Sequence, residues 1–553
     1  MWRPMTPLEI SREPKLSDVR RCPAQICNRI NTPFPELGVT FFVNPPLSVM
    51  FTAVRATLRP NAVASKRCFS SLSVHLKQAG SSKIMTPKAA IADIPVGAKV
   101  MVGGFGLCGV PRTLLDEVVK RPELKDLDVY SNNLGTPGRG VGLLAREGRV
   151  RSITVSFLGG NREFGDQFFR GEVQLNLCPQ GTFAERIRAG AAGIPAFYTP
   201  TGYGTAVHKG ELVLKYEKKD GEEAKPVLIS KPRESRRFGN RDFILEEAIY
   251  GDFALIHARK ADEAGNLIFH STARNFNDPM ARNARITIAE VEEIVPVGSI
   301  SSDEVHLPSI FVDRIVKAEL PLEVEKVCLS KPEGDATELT KRDIIAKRAA
   351  AELSDGMYVN LGVGMPNLVP SYLSKDVDVY VHTENGLLGV GPYPSKEEDV
   401  HTDIINAGKE SITERPDAAA FDAVASFDIV RGGHLDVTML GALQVTANGD
   451  LANYMIPGKF ATGMGGAMDL VSNPDNTRVI VLTEHVDKTG KPKVVQNTEL
   501  PLTGVRCVST IITDLAVFNV DREKGGLTLV ELQPGVTLEE VKAKTGADFK
   551  VAL

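Results

Sequence analysis

The side chain in this sequence best suited to covalent chemistry is the glutamate of Thr383-Glu384-Asn385-Gly386. It closes the apolar run Val377-Asp378-Val379-Tyr380-Val381 and stands just ahead of a glycine turn. In a parallel α/β sheet, the end of a strand is where active sites collect. A glutamate held there, short of water and facing backbone N–H groups, can attack an acyl carbon as a nucleophile. From the tetrapeptide alone, a surface turn that happens to hold Glu is the better reading, so the rest of the chain decides.

Other candidates are weaker. The glycine turn Gly103-Gly104-Phe105-Gly106 departs from the G-x-G-x-x-G spacing of dinucleotide sites, and no acidic residue ends a second strand about 20 positions on. Its glycines instead suggest close approach of substrate to the backbone. His382 shares a strand face with Glu384 only if the strand continues past it, which the turn leaves open. His434 and His485 are isolated and read as core or surface residues. The His, Cys, Asp and Glu residues show no metal-ligand spacing, so no metal is expected. Gly-x-Ser-x-Gly is absent, which argues against an ordinary serine hydrolase.

The elements that must position Glu384 are set out by an internal repeat, offset by about 255 residues. Ile94-Pro-Val-Gly97-Ala-Lys-Val-Met-Val-Gly103 matches Leu353-Ser-Asp-Gly356-Met-Tyr-Val-Asn-Leu-Gly362, and each continues into a glycine turn ending in proline, at Pro111 and Pro366. Leu127-Asp-Val-Tyr-Ser-Asn132-Asn133 matches the segment from Val377 to Asn385, and Gly265-Asn266-Leu267 pairs with Gly449-Asp450-Leu451. Where the second half has the glutamate, the first has Asn132-Asn133. The pattern suggests that one half supplies a nucleophile and the other supplies amide donors, although an Asx turn ending a strand explains the asparagines as readily. Short Val/Ile/Leu runs alternate with helical stretches such as Arg112–Lys120 and Leu339–Glu352. The fold class expected is therefore α/β, with two similar domains each holding a mainly parallel sheet. Arg478-Val-Ile-Val-Leu-Thr is continuously apolar, as a strand covered on both faces should be.

At 553 residues the chain exceeds one core. The expected boundaries are a tail over 1–84, a first domain over 85–328, a polar linker over 329–340 and a second domain over 341–553. The polar stretch from Lys218 to Asn240 reads as a solvated excursion of the first domain. A net charge of −4 gives no reason to expect nucleic acid or an anionic membrane as partner. Seven dispersed cysteines suggest free thiols in a reducing compartment. From Leu37 to Ala92 there is no acidic residue, while Arg55, Arg59, Lys66, Arg67 and Lys77 are basic. That composition predicts a mitochondrial transit peptide over about 50–84, cleaved near Phe69 or a little later, with a generic basic tail as the alternative. Met50 stands where such a presequence would start, so residues 1–49 read as an upstream or misassigned start.

From about residue 85 onward the chain resembles the mitochondrial succinyl-CoA:3-oxoacid CoA-transferases of the family I CoA-transferases, in the form that fuses two subunits of bacterial relatives. The matching blocks include Gly103-Gly-Phe-Gly-Leu-Cys-Gly-Val-Pro111, Pro179-Gln-Gly-Thr-Phe-Ala-Glu-Arg-Ile-Arg-Ala-Gly190, Thr383-Glu-Asn-Gly-Leu-Leu-Gly389, Ile405-Asn-Ala-Gly-Lys409 and Gly463-Met-Gly-Gly-Ala-Met-Asp469. The resemblance implies that Glu384 is the nucleophile, passing through an acyl-glutamyl anhydride and a glutamyl-CoA thioester in ping-pong order. It implies that Asn360 and the backbone of Gly466 and Ala467 stabilise oxyanions, and that Gln180, Asn132 and Asn133 line the acyl pocket. Lys409 would assist binding of CoA or the substrate carboxylate. The substrates implied are succinyl-CoA and a 3-oxoacid such as acetoacetate, as in ketone-body use. The resemblance further implies a homodimer in the mitochondrial matrix, with no cofactor, CoA being a substrate. An acetate/succinate CoA-transferase or an acyl-CoA hydrolase is the enzymatic alternative, and a non-catalytic ligand sensor on the same fold is the alternative of another class.

Overall fold

The protein is described here by a computed structural model over residues 82–159, 161–217, 225–330, 339–458 and 461–553. The expected transit segment up to residue 81 and residues 331–338 of the expected linker lie outside the described residues.

Two large sheets organise the rest. In the first, the strands run in the order Arg314–Lys317, Ile286–Val295, Phe253–Asp262, Lys99–Val102, Leu127–Ser131, Val150–Val155, Gln174–Leu177. These seven pair parallel, and only the short Leu267–Ile268 returns antiparallel. Side chains alternate between two apolar layers, as a period of two requires. Val100 and Val102 enter one layer with Val129 and Ile153, while Met101 enters the other with Ala254 and Ile256.

The second sheet runs Glu414–Ala420, Leu387–Val390, Tyr380–Thr383, Tyr358–Leu361, Val437–Gly441, Arg478–Leu482, Thr510–Ile512, Ala516–Val520, Leu527–Leu532, Phe549–Val551. Its centre, from Tyr380–Thr383 to Thr510–Ile512, is parallel. Antiparallel hairpins extend it on both sides, so it is more mixed than the sequence suggests. Arg478–Leu482 is buried beyond its first residue, as its unbroken apolar run predicts.

The repeat is visible in both sheets. Lys99–Val102 lies beside Leu127–Ser131 as Tyr358–Leu361 lies beside Tyr380–Thr383. The turns at Gly265 and Gly449 take φ of +99° and +83°, and each leads into a short antiparallel return strand. The expected helices form over Arg112–Val119 and Lys341–Ala350, the second opened by a reciprocal Thr340/Asp343 capping box. In the polar excursion, Pro226–Ile229 and Ser235–Phe238 form exposed strands paired with Val213–Tyr216 and Arg241–Glu247. The helices Gln180–Ala191 and Ala423–Gly432 pack together, and Ala423 and Val424 enter the apolar layer of the first sheet.

Candidate active site

A cavity of about 360 Å³ opens where strands of both sheets end. Phe105, Asn132, Asn133, Phe157 and Gln180 reach it from the first half, just beyond the C-terminal ends of their strands. Asn360, Glu384, Lys409, Gly441 and the loop Thr462–Ala467 reach it from the second. Every site residue expected from the sequence, namely Glu384, Asn360, Gly466, Ala467, Gln180, Asn132, Asn133 and Lys409, lines this one cavity. Strand ends in a parallel sheet leave backbone groups unpaired and side chains free to converge, which explains the location.

Glu384 sits in a three-residue turn between the antiparallel strands Tyr380–Thr383 and Leu387–Val390. Gly386 closes the turn at φ +111°, and a Cβ there would lie 2.2 Å from the Phe421 carbonyl oxygen, so only glycine fits. Asn385 is pinned by donating to the Ile405 carbonyl (2.8 Å). Ser426 Oγ donates to the carbonyl of Glu384 itself (2.9 Å). The Glu384 side chain is packed round by protein and only partly open to the cavity. Burial, reinforced by the nearby charge of Asp469, pushes its carboxyl up to about 8, against a lowering contribution from the Gln180 amide.

Donors surround that carboxylate. A Cβ on Gly466 would stand 2.0 Å from Glu384 Oε2, so the glycine lets the backbone come up against the carboxylate. Among the described residues the Gly466 N–H has no partner, whereas the Ala467 N–H donates to the Met464 carbonyl (3.2 Å). Of the two expected backbone donors, Gly466 is therefore the uncommitted one. Gln180 is 1 % exposed, and its Nε2 faces the Glu384 carboxyl that it lowers but makes no hydrogen bond of full geometry among the described residues. A buried amide left unsatisfied costs about 1–3 kcal/mol and is a donor waiting for an acceptor.

The asparagines play separate parts. Asn132 Oδ1 accepts from Ser156 Oγ (2.6 Å). Asn133 Oδ1 accepts from the Gly135 N–H (2.7 Å), which is the Asx turn considered above, formed within the cavity wall. Asn360 donates from Nδ2 to both Nδ1 and the carbonyl oxygen of His382 (3.2 Å each). The Lys409 ammonium is 3.1 Å from Glu325 Oε1 and 5.3 Å from the Phe157 ring centre. Lys409 has φ +64°, a conformation costly outside glycine that recurs at functional sites.

The turn Gly103–Gly106 serves packing more than substrate approach. A Cβ on Gly103 would strike Asn277, one on Gly104 would strike Val110, and one on Gly106 would crowd the Lys409 stem. Asp469 is a carboxylate for which the sequence offered no role. It accepts from the Gly181 N–H (2.8 Å) and Thr201 Oγ (3.0 Å), capping the helix Gln180–Ala191 from the other half of the chain. Burial raises its carboxyl to about 6, although Arg431 opposes the shift. No spacing rule could have found it, because its partners are some 270–290 residues away.

His270, His401 and Asp403 also converge, with ligand atoms all within 4.8 Å of one another. The Asp403 N–H donates to His401 Nδ1 (3.1 Å), occupying that lone pair and placing the ring proton on Nε2. Asp403 Oδ2 lies 3.5 Å from His270 Nδ1. Among the described residues, His270 Nδ1 and both Asp403 carboxylate oxygens are buried without a hydrogen-bond partner, so the cluster holds ligand atoms that the spacing in the sequence did not reveal. His485 is a satisfied core residue between Thr513 and Thr545, and His434 is exposed. Cys108, Cys178, Cys328 and Cys507 are free thiols.

The chain belongs to the coenzyme A transferase family. The sequence model of that family, Coenzyme A transferase, matches residues 84–318 and 342–544. The chain is 49% identical over 469 residues to the mitochondrial succinyl-CoA:3-ketoacid coenzyme A transferase 2 of Homo sapiens, covering 84% of this chain and 89% of that one. It is 48% identical over 477 residues to the corresponding 2A enzyme of Rattus norvegicus, covering 85% and 90%. Among solved structures, the acyl-CoA transferase YdiF apoenzyme of Escherichia coli O157:H7 superposes with a TM-score of 0.67 at 21% identity, over 86% of this chain and 94% of that one.

Proposed function

We propose that this protein moves CoA from succinyl-CoA to a 3-oxoacid such as acetoacetate, with Glu384 as the covalent carrier. The observation that carries this is the Glu384 carboxylate, packed round by protein at the cavity beside an uncommitted Gly466 N–H and a Gln180 Nε2 that makes no other hydrogen bond among the described residues. The identity to relatives named succinyl-CoA:3-ketoacid coenzyme A transferases supports the substrates.

A Glu384 oxygen attacks the thioester carbonyl carbon, the C–S bond breaks, and CoA leaves as the thiolate from an acyl-glutamyl anhydride. The thiolate attacks the glutamyl carbonyl, succinate departs with the anhydride oxygen, and a glutamyl-CoA thioester remains. The acceptor carboxylate then attacks that thioester, and the steps run in reverse until CoA is on the 3-oxoacid and Glu384 is free. Each step passes through a tetrahedral oxyanion, for which fixed N–H dipoles are the largest available stabilisation. Gly466 N–H and Gln180 Nε2 supply them here, with Asn360 contributing once it releases a bond to His382. Asn132 and Asn133 offer neutral amides to the acyl chain, and Lys409 offers charge to a substrate carboxylate. Partial desolvation keeps Glu384 basic, and a basic carboxylate is the better nucleophile.

The route needs no cofactor, since CoA is consumed and regenerated as substrate. We assign the two transferase domains to residues 85–328 and 341–553, in accord with the two blocks the family model matches. The acid-free segment before residue 85 and the mitochondrial designation of the relatives support import, with a homodimer in the matrix as the working form. No helix among the described residues is long and apolar enough to cross a membrane. The test is a paired assay of wild type and Glu384→Ala with succinyl-CoA and acetoacetate. The variant should lose at least about 10⁴-fold in kcat, as removal of a covalent nucleophile does. Wild-type turnover by the variant, or CoA released without transfer, rejects the assignment.

A further inference from the structure

One buried group behind the cavity wall has no place in the chemistry above. His382 is 1 % exposed and stacked 6.1 Å from the Phe421 ring, and its two nitrogens face the helix Ala423–Gly432 and the cavity residue Asn360. Nε2 lies 3.0 Å from Ser426 Oγ, and Nδ1 lies 3.2 Å from Asn360 Nδ2.

The direction of each bond follows from counting hydrogens. Ser426 has one hydroxyl proton and gives it to the Glu384 carbonyl, so it meets His382 as an acceptor. Nε2 must then carry a proton. Burial alone pushes the imidazole down to about 4, so the ring is neutral and Nδ1 is bare. Nδ1 therefore accepts from Asn360, whose other N–H goes to the His382 carbonyl. The chain Asn360 N–H to Nδ1, Nε2–H to Ser426, and O–H to the Glu384 carbonyl has one consistent orientation.

We propose that His382 is a positioning residue, which as its Nε2–H tautomer holds the main chain of Glu384 through Ser426 and sets, through Nδ1, how readily Asn360 turns an N–H towards the reacting acyl oxygen. The proposal rests on the reading of Glu384 as nucleophile. A histidine that merely fills the core would need neither a fixed tautomer nor a bond to the carbonyl of the reacting residue. The ring couples two cavity walls that come from neighbouring parallel strands, Tyr358–Leu361 and Tyr380–Thr383, and ties both to the helix Ala423–Gly432.

Four variants separate the arms. Ser426→Ala removes the link to Glu384. His382→Gln retains an N–H near the Nε2 position, and His382→Asn retains an acceptor near the Nδ1 position. His382→Ala removes both. Ser426→Ala and His382→Asn are each expected to lower kcat by roughly 10-fold, the worth of one well-placed hydrogen bond, with KM for succinyl-CoA nearly unchanged. His382→Gln, which loses only the acceptor for Asn360, should lower kcat by a smaller factor of about 3-fold, and His382→Ala should be the worst of the four. ¹⁵N NMR of histidine-labelled wild type, assigned by subtraction of the His382→Gln spectrum, should show a neutral Nε2–H ring that does not titrate between pH 5 and pH 8. With His382→Gln folded, that spectrum reads the tautomer even where Ser426→Ala, His382→Asn or His382→Ala fails to fold. An Nδ1–H ring, a charged ring at neutral pH, or wild-type kcat in Ser426→Ala overturns the proposal. If Glu384→Ala is dead while Ser426→Ala is normal, the positioning role fails and the nucleophile stands; turnover in Glu384→Ala removes the nucleophile itself.

Discussion

After Ser131 the first half of the chain leaves its sheet through Asn132 and Asn133 and goes on to build two more parallel strands. After Thr383 the second half turns back within three residues, and the next strand pairs antiparallel. The same strand pair thus ends in two ways. The open ending keeps neutral amides at the cavity, one tied to Ser156 and the other folded into an Asx turn. The hairpin ending fixes a single carboxylate whose backbone is held at both Ser426 and Gly386. Duplication followed by this divergence places the carboxylate on one wall and neutral asparagine amides opposite it. A second carboxylate in the place of Asn132 or Asn133 would meet both Glu384 and the anionic substrate across the same small space.

The comparison can be broken most severely at Gly466, whose added Cβ would fall 2.0 Å from Glu384 Oε2. Gly466→Ala keeps the N–H but forces it and the carboxylate apart, and should cost roughly 10²–10³-fold in kcat, the scale of an oxyanion donor put out of place, while circular dichroism shows the fold retained. Making the first wall resemble the second is the next largest change. Asn132→Asp should raise KM for the 3-oxoacid by roughly 10-fold through like-charge repulsion and loss of a donor, with a smaller change in kcat.

The electrostatics can be sharpened with Asp469→Asn. Glu384 attacks as the carboxylate, so kcat/KM should fall as pH drops through its raised value of about 8. Burial is the larger cause of that value and survives the substitution, whereas the Asp469 charge does not. The acidic limb should move to lower pH, and an unmoved limb would show that the two carboxyls do not communicate. The smallest effect is on stability. A carboxyl raised from 4.5 to about 8 in the folded state contributes stability at low pH that is lost as pH rises through the folded value. Glu384→Gln avoids that loss, so its melting temperature should exceed that of wild type, by more at pH 8 than at pH 5.

Much of this arrangement could be read from the chain. The repeat aligned Tyr358–Leu361 with Lys99–Val102 and put Glu384 opposite Asn132-Asn133, and the sheets pair as that alignment requires. The apolar runs gave the strands, and resemblance to a transferase family brought eight cavity residues together before any geometry was known. What escaped was of a different kind. Asp469 capping the Gln180 helix, and His382 linked to Ser426 and Asn360, depend on which side chains face one another across the fold. Sequence spacing carries no such information. The turn Gly103–Gly106 was legible as a close approach, but the approaching groups are Asn277, Val110 and Lys409 of the chain itself. The strands Pro226–Ile229 and Ser235–Phe238 were hidden in a polar stretch because both are exposed and show no burial alternation.

The direct measurement is the site of the covalent intermediate. Enzyme mixed with succinyl-CoA and no acceptor, then reduced with borohydride and digested, should carry its modification on the peptide containing Thr383-Glu384-Asn385-Gly386, at Glu384. A modification on any other residue, or unmodified Glu384 in an enzyme that still exchanges CoA, would contradict the account.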